Sequence, residues 1–264
     1  MAVIWGLDLR EIQWNKFASK NMFDKKWHLR REKMIIYQLA MISMVCSESV
    51  GTAALSAYVD QQSHLETIYP SSHVHNNDIV GIASFNIFMG VAIATIFGAA
   101  FFFDLFWPER HESKGVKLAW KISAVAVCIG AFADALAFTV IVATHECWVN
   151  GVSGPELTRV LQEAGKPNWK YRKNARAVAS VVLLWVGLVF TIASTYILFK
   201  SYAHNEIFGP KSDEALAAEK NAGNSVLDPE REGLPPTPLP PPVPQYPENP
   251  NYFSEKYTRR QDVI

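Results

Sequence analysis

From Met34 to Val59 the chain is apolar for about the length of a membrane span, with one carboxylate, Glu48, near the middle. A hydrocarbon core about 30 Å thick takes roughly 20 helical residues to cross, so this run predicts a transmembrane helix. Its flanks differ in charge. Lys25, Lys26, Arg30, Arg31 and Lys33 precede it, and no Lys or Arg follows until Arg110. Positive residues beside a span stay cytoplasmic, which predicts a cytoplasmic amino terminus and an outer loop over 60–78.

Three further runs follow from that start. They predict spans at about 79–106, 118–144 and 176–202, giving a four-span membrane domain over 34–202 with both termini cytoplasmic. The inner loop between the second and third spans carries Arg110, Lys114 and Lys117, as this topology requires. The second outer loop, 145–175, runs against the charge rule with Arg159, Lys166, Lys170, Arg172 and Lys173, but the stronger bias around the first span sets orientation. Within that loop a short helix is expected over 155–164. Pro155 suits a first turn, Leu157, Val160 and Leu161 share a face, and Gly165 and Pro167 stop it. The fold class is therefore all-α: a membrane-embedded four-helix bundle. Mean hydropathy is only +0.04 because polar ends dilute the apolar runs. The first thirty residues carry Asp8, Arg10, Glu11 and Lys16 where a cleavable signal needs an apolar core, so entry is expected through the first span.

Residues 1–33 interleave Trp5, Trp14, Phe17, Phe23 and Trp27 with Lys16, Lys20, Lys25 and Lys26. Such a segment either lies in the headgroup layer, held by anionic lipid and indole rings, or caps the bundle from below. Residues 203–264 differ completely in composition. A helical turn or two is expected over 212–220, and ten of the residues from Pro229 to Pro250 are proline, which predicts a disordered, proline-rich cytoplasmic tail.

Candidate sites fall into four groups. Glu48 and Asp134 lie about ten residues, roughly 15 Å, in from the outer surface, with Asn86 slightly shallower. An ionised side chain at that depth costs about 2.5–3.5 kcal/mol, so these groups are expected to face the bundle, as an ion- or proton-responsive site or as neutral hydrogen-bonded groups fixing helix register. Small residues recur as Gly90, Ala94 and Gly98 on span two and as Ala126 and Gly130 on span three, where they allow close helix packing. Asp104 and Lys121, at facing ends of a tight hairpin, are expected to pair or to snorkel apart. His73, His75, His145 and Cys147 are weak metal candidates, since His-x-His and His-x-Cys in loops lack structural-zinc spacing. Three cysteines are too few for a disulfide framework; Cys147 alone would face outside, free for an intermolecular bridge.

In the tail, Pro235 with Pro238 and Pro241 with Pro244 have the spacing read by aromatic polyproline grooves. Asn249, Pro250 and Tyr252 match the NPxY motif of adaptor recognition, and Asp262-Val263-Ile264 ends in an apolar residue suited to a PDZ-like groove. No nucleophile elbow, phosphate loop or redox cysteine pair occurs, so neither enzymatic activity nor a cofactor is expected. A net charge of zero gives no basis for nucleic-acid binding.

With four spans, two outer loops and both ends inside, the layout over 34–202 resembles the small tetraspan proteins of MARVEL and claudin type. It is also similar to four-span fungal plasma-membrane proteins associated with cell-wall signalling and hyphal fusion. Loop one has no cysteine, unlike claudins, and the Cys-Cys-Gly of tetraspanins is absent, so no family site residue transfers. Together these features predict a membrane organiser that associates laterally through its small-residue stripes, with itself or other membrane proteins, and recruits cytoplasmic adaptors through its tail. The alternative is a proton- or cation-responsive transporter or sensor using Glu48 and Asp134. The plasma membrane is the expected location, with the endoplasmic reticulum or another endomembrane as the alternative.

Overall fold

Long apolar helices dominate the computed structural model, which describes residues 3–4, 7–151, 155–163, 165 and 167–225. The chain divides into two compact units, Met1–Glu219 and Lys220–Ile264. The tail motifs at Pro235, Pro238, Pro241, Pro244, Asn249, Pro250, Tyr252 and Asp262 to Ile264 lie outside the described residues.

The chain opens with a small antiparallel pair, β1 (Val3–Ile4) and β2 (Leu7–Asp8), and a single helical turn, α1 (Ser19–Met22). Then come the first long helix, α2 (Arg30–Ile68), a strand β3 (His73–His75), α3 (Asn77–Phe106) and α4 (Lys114–Thr144). Strand β4 (Trp148–Asn150), the short helix α5 (Pro155–Glu163), the fourth long helix α6 (Ala175–Phe208) and α7 (Asp213–Ser225) complete the order. Four of these helices, α2, α3, α4 and α6, are long and apolar enough to cross a membrane, and the protein is an all-α, multi-pass membrane protein.

Local chemistry sets the helix ends. Ser113 Oγ accepts from the Val116 N–H at 3.3 Å to cap α4, and Asn174 Oδ1 accepts from the Arg176 N–H at 3.1 Å to cap α6. Pro70 and Pro108 follow α2 and α3 closely, and Gly209, at φ 79°, ends α6 in a conformation that side chains disfavour. The first of the four long helices is longer than its apolar stretch predicts. At 39 residues, α2 measures about 58 Å, so much of the expected loop over 60–78 is helix, including His64. The end over 58–65 is held from the side, since the Tyr58 hydroxyl donates to the Asn168 carbonyl at 3.0 Å and Gln61 Nε2 to the Pro167 carbonyl at 2.9 Å.

The four spans form a ring in which α2 and α4 each pack against both α3 and α6, leaving α2 and α4 on a diagonal. Glycine makes the close contacts. A side chain at Gly90 would run into the Glu48 carboxylate, one at Gly98 would meet Met41 Sδ at 3.2 Å, and one at Gly130 would meet Met89 Cε at 2.7 Å. The Gly90–Gly98 stripe is thus filled by α2 of the same chain, and Gly130 by α3, so the helices that these glycines admit are neighbours within the bundle. Ala94 is half-buried beside that stripe, and Ala126 is exposed on the lipid-facing side of α4.

At the loop end, which carries the connections from α2 to α3 and from α4 to α6, β3 and β4 pair antiparallel with Val74 opposite Val149, joining two loops that appear independent in sequence. Helix α5 is present, with Val160 buried. At the opposite end, where the amino-terminal segment enters α2 and α6 finishes (the terminal end), that segment caps the bundle. Lys16 Nζ donates to the Phe106 carbonyl at 2.8 Å, and the Phe17 ring packs edge-on against Phe106 at 5.7 Å.

Candidate functional site

Nearer the β3–β4 end of the bundle than its middle, a polar seam joins three helices. Ser47 Oγ of α2 donates to the Ser180 carbonyl of α6 at 2.9 Å, and Ser180 Oγ donates to the Ser47 carbonyl at 2.9 Å. Asn86 of α3, with no exposed surface, donates from Nδ2 to Ser180 Oγ at 3.4 Å. Gly51 permits this approach, since a Cβ there would lie 2.9 Å from Ser180 Oγ. Sequence reading singled out Asn86 but missed its serine partners, because isolated serines in apolar helices usually bond back to their own backbone.

Glu48 Oε2 and both Asp134 oxygens take no part in this seam's hydrogen bonds. Glu48 lies at the α2–α3 contact, its Oε2 buried against Gly90 with no hydrogen-bond partner. Asp134, on the diagonal helix α4, has no exposed surface, and neither of its oxygens has a partner. No hydrogen bond links the two acids among the described residues.

A second polar region lies at the terminal end. Asp104 accepts from Lys33 Nζ at 3.0 Å and from Arg110 Nη1 at 2.9 Å, while Arg110 Nε reaches Glu112 at 2.5 Å and the Tyr202 hydroxyl donates to Glu112 at 2.9 Å. Burial pulls the Arg110 guanidinium down, but Asp104 and Glu112 more than offset this and hold it above its ordinary range. Arg30 closes the corner by donating to the carbonyls of Met22, Asp104 and Leu105. The expected Asp104–Lys121 pair is therefore not formed. Asp104 turns inward to α2 and the following loop, and Lys121 instead meets Glu206 of α6 at 3.5 Å. A cavity of about 570 Å³ opens beside this network, with Trp27, His28, Lys33, Lys117 and Lys211 on its wall.

The same end contains a clasp that joins remote parts of the chain. The His28 N–H donates to the Pro210 carbonyl at 3.1 Å, the Ser212 N–H to the Lys26 carbonyl at 2.8 Å, and Ser212 Oγ to the Lys25 carbonyl at 2.7 Å. Above these bonds the rings of His28 and His204 stack in parallel, 3.5 Å apart. Burial and the neighbouring His204 lower the His28 pKa. Nothing local in the sequence announces this arrangement, since its parts come from either end of the membrane domain.

At the loop end, the weak metal candidates take separate partners. His73 lies 3.8 Å from Glu66, His75 stacks on Trp148 at 4.0 Å, and His145 Nδ1 sits 2.7 Å from Asp78 Oδ2. The Tyr171 hydroxyl donates to the other Asp78 oxygen at 2.7 Å. Cys147 is buried, and burial first, then Asp78, push its thiol up to about 12. That burial removes it as an accessible partner for an intermolecular disulfide. Among the described residues, the one group of three metal-ligating side chains that come together is His28, His204 and Asp213.

Comparison with protein families, with curated proteins and with solved structures finds no match to this chain.

Proposed function

We propose that this protein is a membrane organiser whose bundle anchors it in the bilayer and whose carboxy-terminal segment recruits cytoplasmic adaptors. The observation that carries the reading is the clasp. Backbone bonds from Lys26 and His28 to Pro210 and Ser212 hold the stretch from which the proline-rich segment departs against the amino-terminal cap. A tethered recruiting segment benefits from a fixed root, because linkage to an anchored body raises the effective concentration of its motifs at the membrane. The reading takes the terminal end as cytoplasmic because Lys25, Lys26, Arg30, Arg31, Lys33, Arg110, Lys114 and Lys117 gather there. Lateral association would use exposed lipid-facing surface, such as that around Ala126 on α4, since the glycine stripes are engaged inside the bundle.

The test compares proteins co-purified from native membranes with the full chain and with a chain ending at Ser225, which keeps the clasp intact. A set of partners lost on truncation, and lost again with Tyr252→Ala or with Pro235, Pro238, Pro241 and Pro244 changed to Ala, supports recruitment. An unchanged set overturns it.

One observation favours a second reading, a proton- or cation-responsive site: three carboxylate oxygens on Glu48 and Asp134 are buried without partners. Under it, Glu48→Gln with Asp134→Asn removes a pH- or ion-dependent response of the reconstituted protein while leaving insertion normal. An identical response in the double variant removes that reading.

A further inference from the structure

The recruitment reading uses the clasp's backbone bonds but not its histidines. His28 lies in the turn before α2, His204 in the last turns of α6, and Asp213 opens α7. One ligand atom from each lies within 4.8 Å of the others. The His204 side chain is only 10% exposed, and its Nε2 is 3.2 Å from Asp213 Oδ1. Its Nδ1 and the Nε2 of His28 are both buried with no hydrogen-bond partner. Two imidazole nitrogens in that condition are costly, because each has given up water and gained no hydrogen bond in return. Helix packing alone does not require two such groups in one place.

The donor set is specific in chemistry. Two imidazoles and one carboxylate suit borderline divalent transition ions, whereas calcium and magnesium prefer all-oxygen shells and soft ions prefer thiolates. We propose that His28, His204 and Asp213 bind one divalent transition-metal ion of the zinc class, pinning the segment before α2 to the end of α6 and the start of α7. Parallel rings point their lone pairs side by side, so coordination takes a rotation of the partly buried His28 ring out of the stack. The 570 Å³ cavity, whose wall includes His28, gives that ring room to turn, gives the ion an entry path and leaves space for water as a remaining ligand. Lys33 and Lys200 stand close enough to His28 to oppose a cation, so the Asp213 charge is central to affinity.

The experiment uses tag-free full chain in lipid nanodiscs, stripped with chelator and titrated with Zn²⁺ by calorimetry and with Co²⁺ by visible absorption. One equivalent per chain is expected, with Co²⁺ bands of a four- or five-coordinate nitrogen–oxygen site. Asp213→Asn, at a side chain 79% exposed and so safe for folding, weakens binding by more than about tenfold, and His28→Ala does the same. A His73→Ala, His145→Ala double variant leaves it unchanged. Absence of stoichiometric binding, binding that survives both Asp213→Asn and His28→Ala, or binding that follows His73 and His145 overturns the proposal. None of these outcomes depends on adaptor capture, so the two proposals fail separately.

Discussion

Asp104 accepts from both Lys33 and Arg110 at hydrogen-bond distance, so deleting its carboxylate takes the paired anion from the shielded Lys33 and leaves Arg110 with Glu112 alone. Breaking such a cluster by removing one partner costs about 3–5 kcal/mol, far more than the cluster contributes over an apolar replacement. Asp104→Ala is expected to lower unfolding stability in detergent by about that amount. Lys121→Ala, whose pair with Glu206 is 29% and 49% exposed, is expected to cost about 0–1 kcal/mol. Equal losses for the two variants would show that the Asp104 cluster is no tighter than a surface pair. The contrast also marks what sequence conveys about single residues. It left Asp104 either to pair with Lys121 or to snorkel away from it toward the headgroups. It did not identify Lys33, which arrives from the start of another helix, or Arg110, which folds back from the loop. The same holds for the mid-span groups: depth placed Glu48, Asn86 and Asp134 within the bundle, while their neighbours depended on helix rotation that hydropathy does not encode.

Among elements, the spans were legible because each is a long apolar run, and a bilayer leaves few other structures for such a run. Their ends were less legible. Hydropathy ends at about Val59, but α2 continues to Ile68 because nothing breaks the helix before Pro70 and side bonds from Tyr58 and Gln61 hold it. The pairing of β3 with β4 was invisible, since strands of three residues carry almost no periodicity. Gly151 makes that pairing possible. It sits at φ 88°, and a Cβ there would collide with the Ser71 backbone, so Gly151→Ala combines positive-φ strain with a clash against main chain that cannot move aside. Cys147 reports on it. The buried thiol, pushed up to about 12, forms little thiolate below that pH, whereas an unfolded thiol ionises from about 9. Its contribution to stability is therefore intact below about pH 9 and is lost as pH rises toward 12. Wild-type Cys147 is expected to resist maleimide from pH 7 to 9 in membranes, in a variant lacking Cys46 and Cys128. Adding Gly151→Ala is expected to speed labelling at least about tenfold, the equivalent of 1.4 kcal/mol of local opening. Labelling that is fast in the parent or unchanged by the substitution would contradict the buried-thiol and paired-loop account.

For the whole molecule, the membrane domain does not end where its last apolar residue does. The stretch after α6 returns to bond with Lys25, Lys26 and His28, so the amino-terminal cap and the residues after Gly209 stabilise each other. Two truncations separate stability from recruitment. A chain ending at Phe208 loses the Pro210 and Ser212 partners and the His204–Asp213 contact, leaving the cap backbone near His28 unpaired. Each lost bond contributes about 0.5–1.5 kcal/mol, so three or four of them should lower stability by about 2–5 kcal/mol and expose the segment around Trp27 to protease. A chain ending at Ser225 keeps every one of these bonds and should unfold with the full-length midpoint while losing the proline pairs and Tyr252. Thermal unfolding and limited proteolysis of the three chains in the same detergent measure this directly. Equal stability of the two truncations would mean that the clasp contributes nothing to the bundle. A loss of stability on ending at Ser225 would mean that residues 226–264 support the membrane domain, so lost partners could no longer be assigned to recruitment alone.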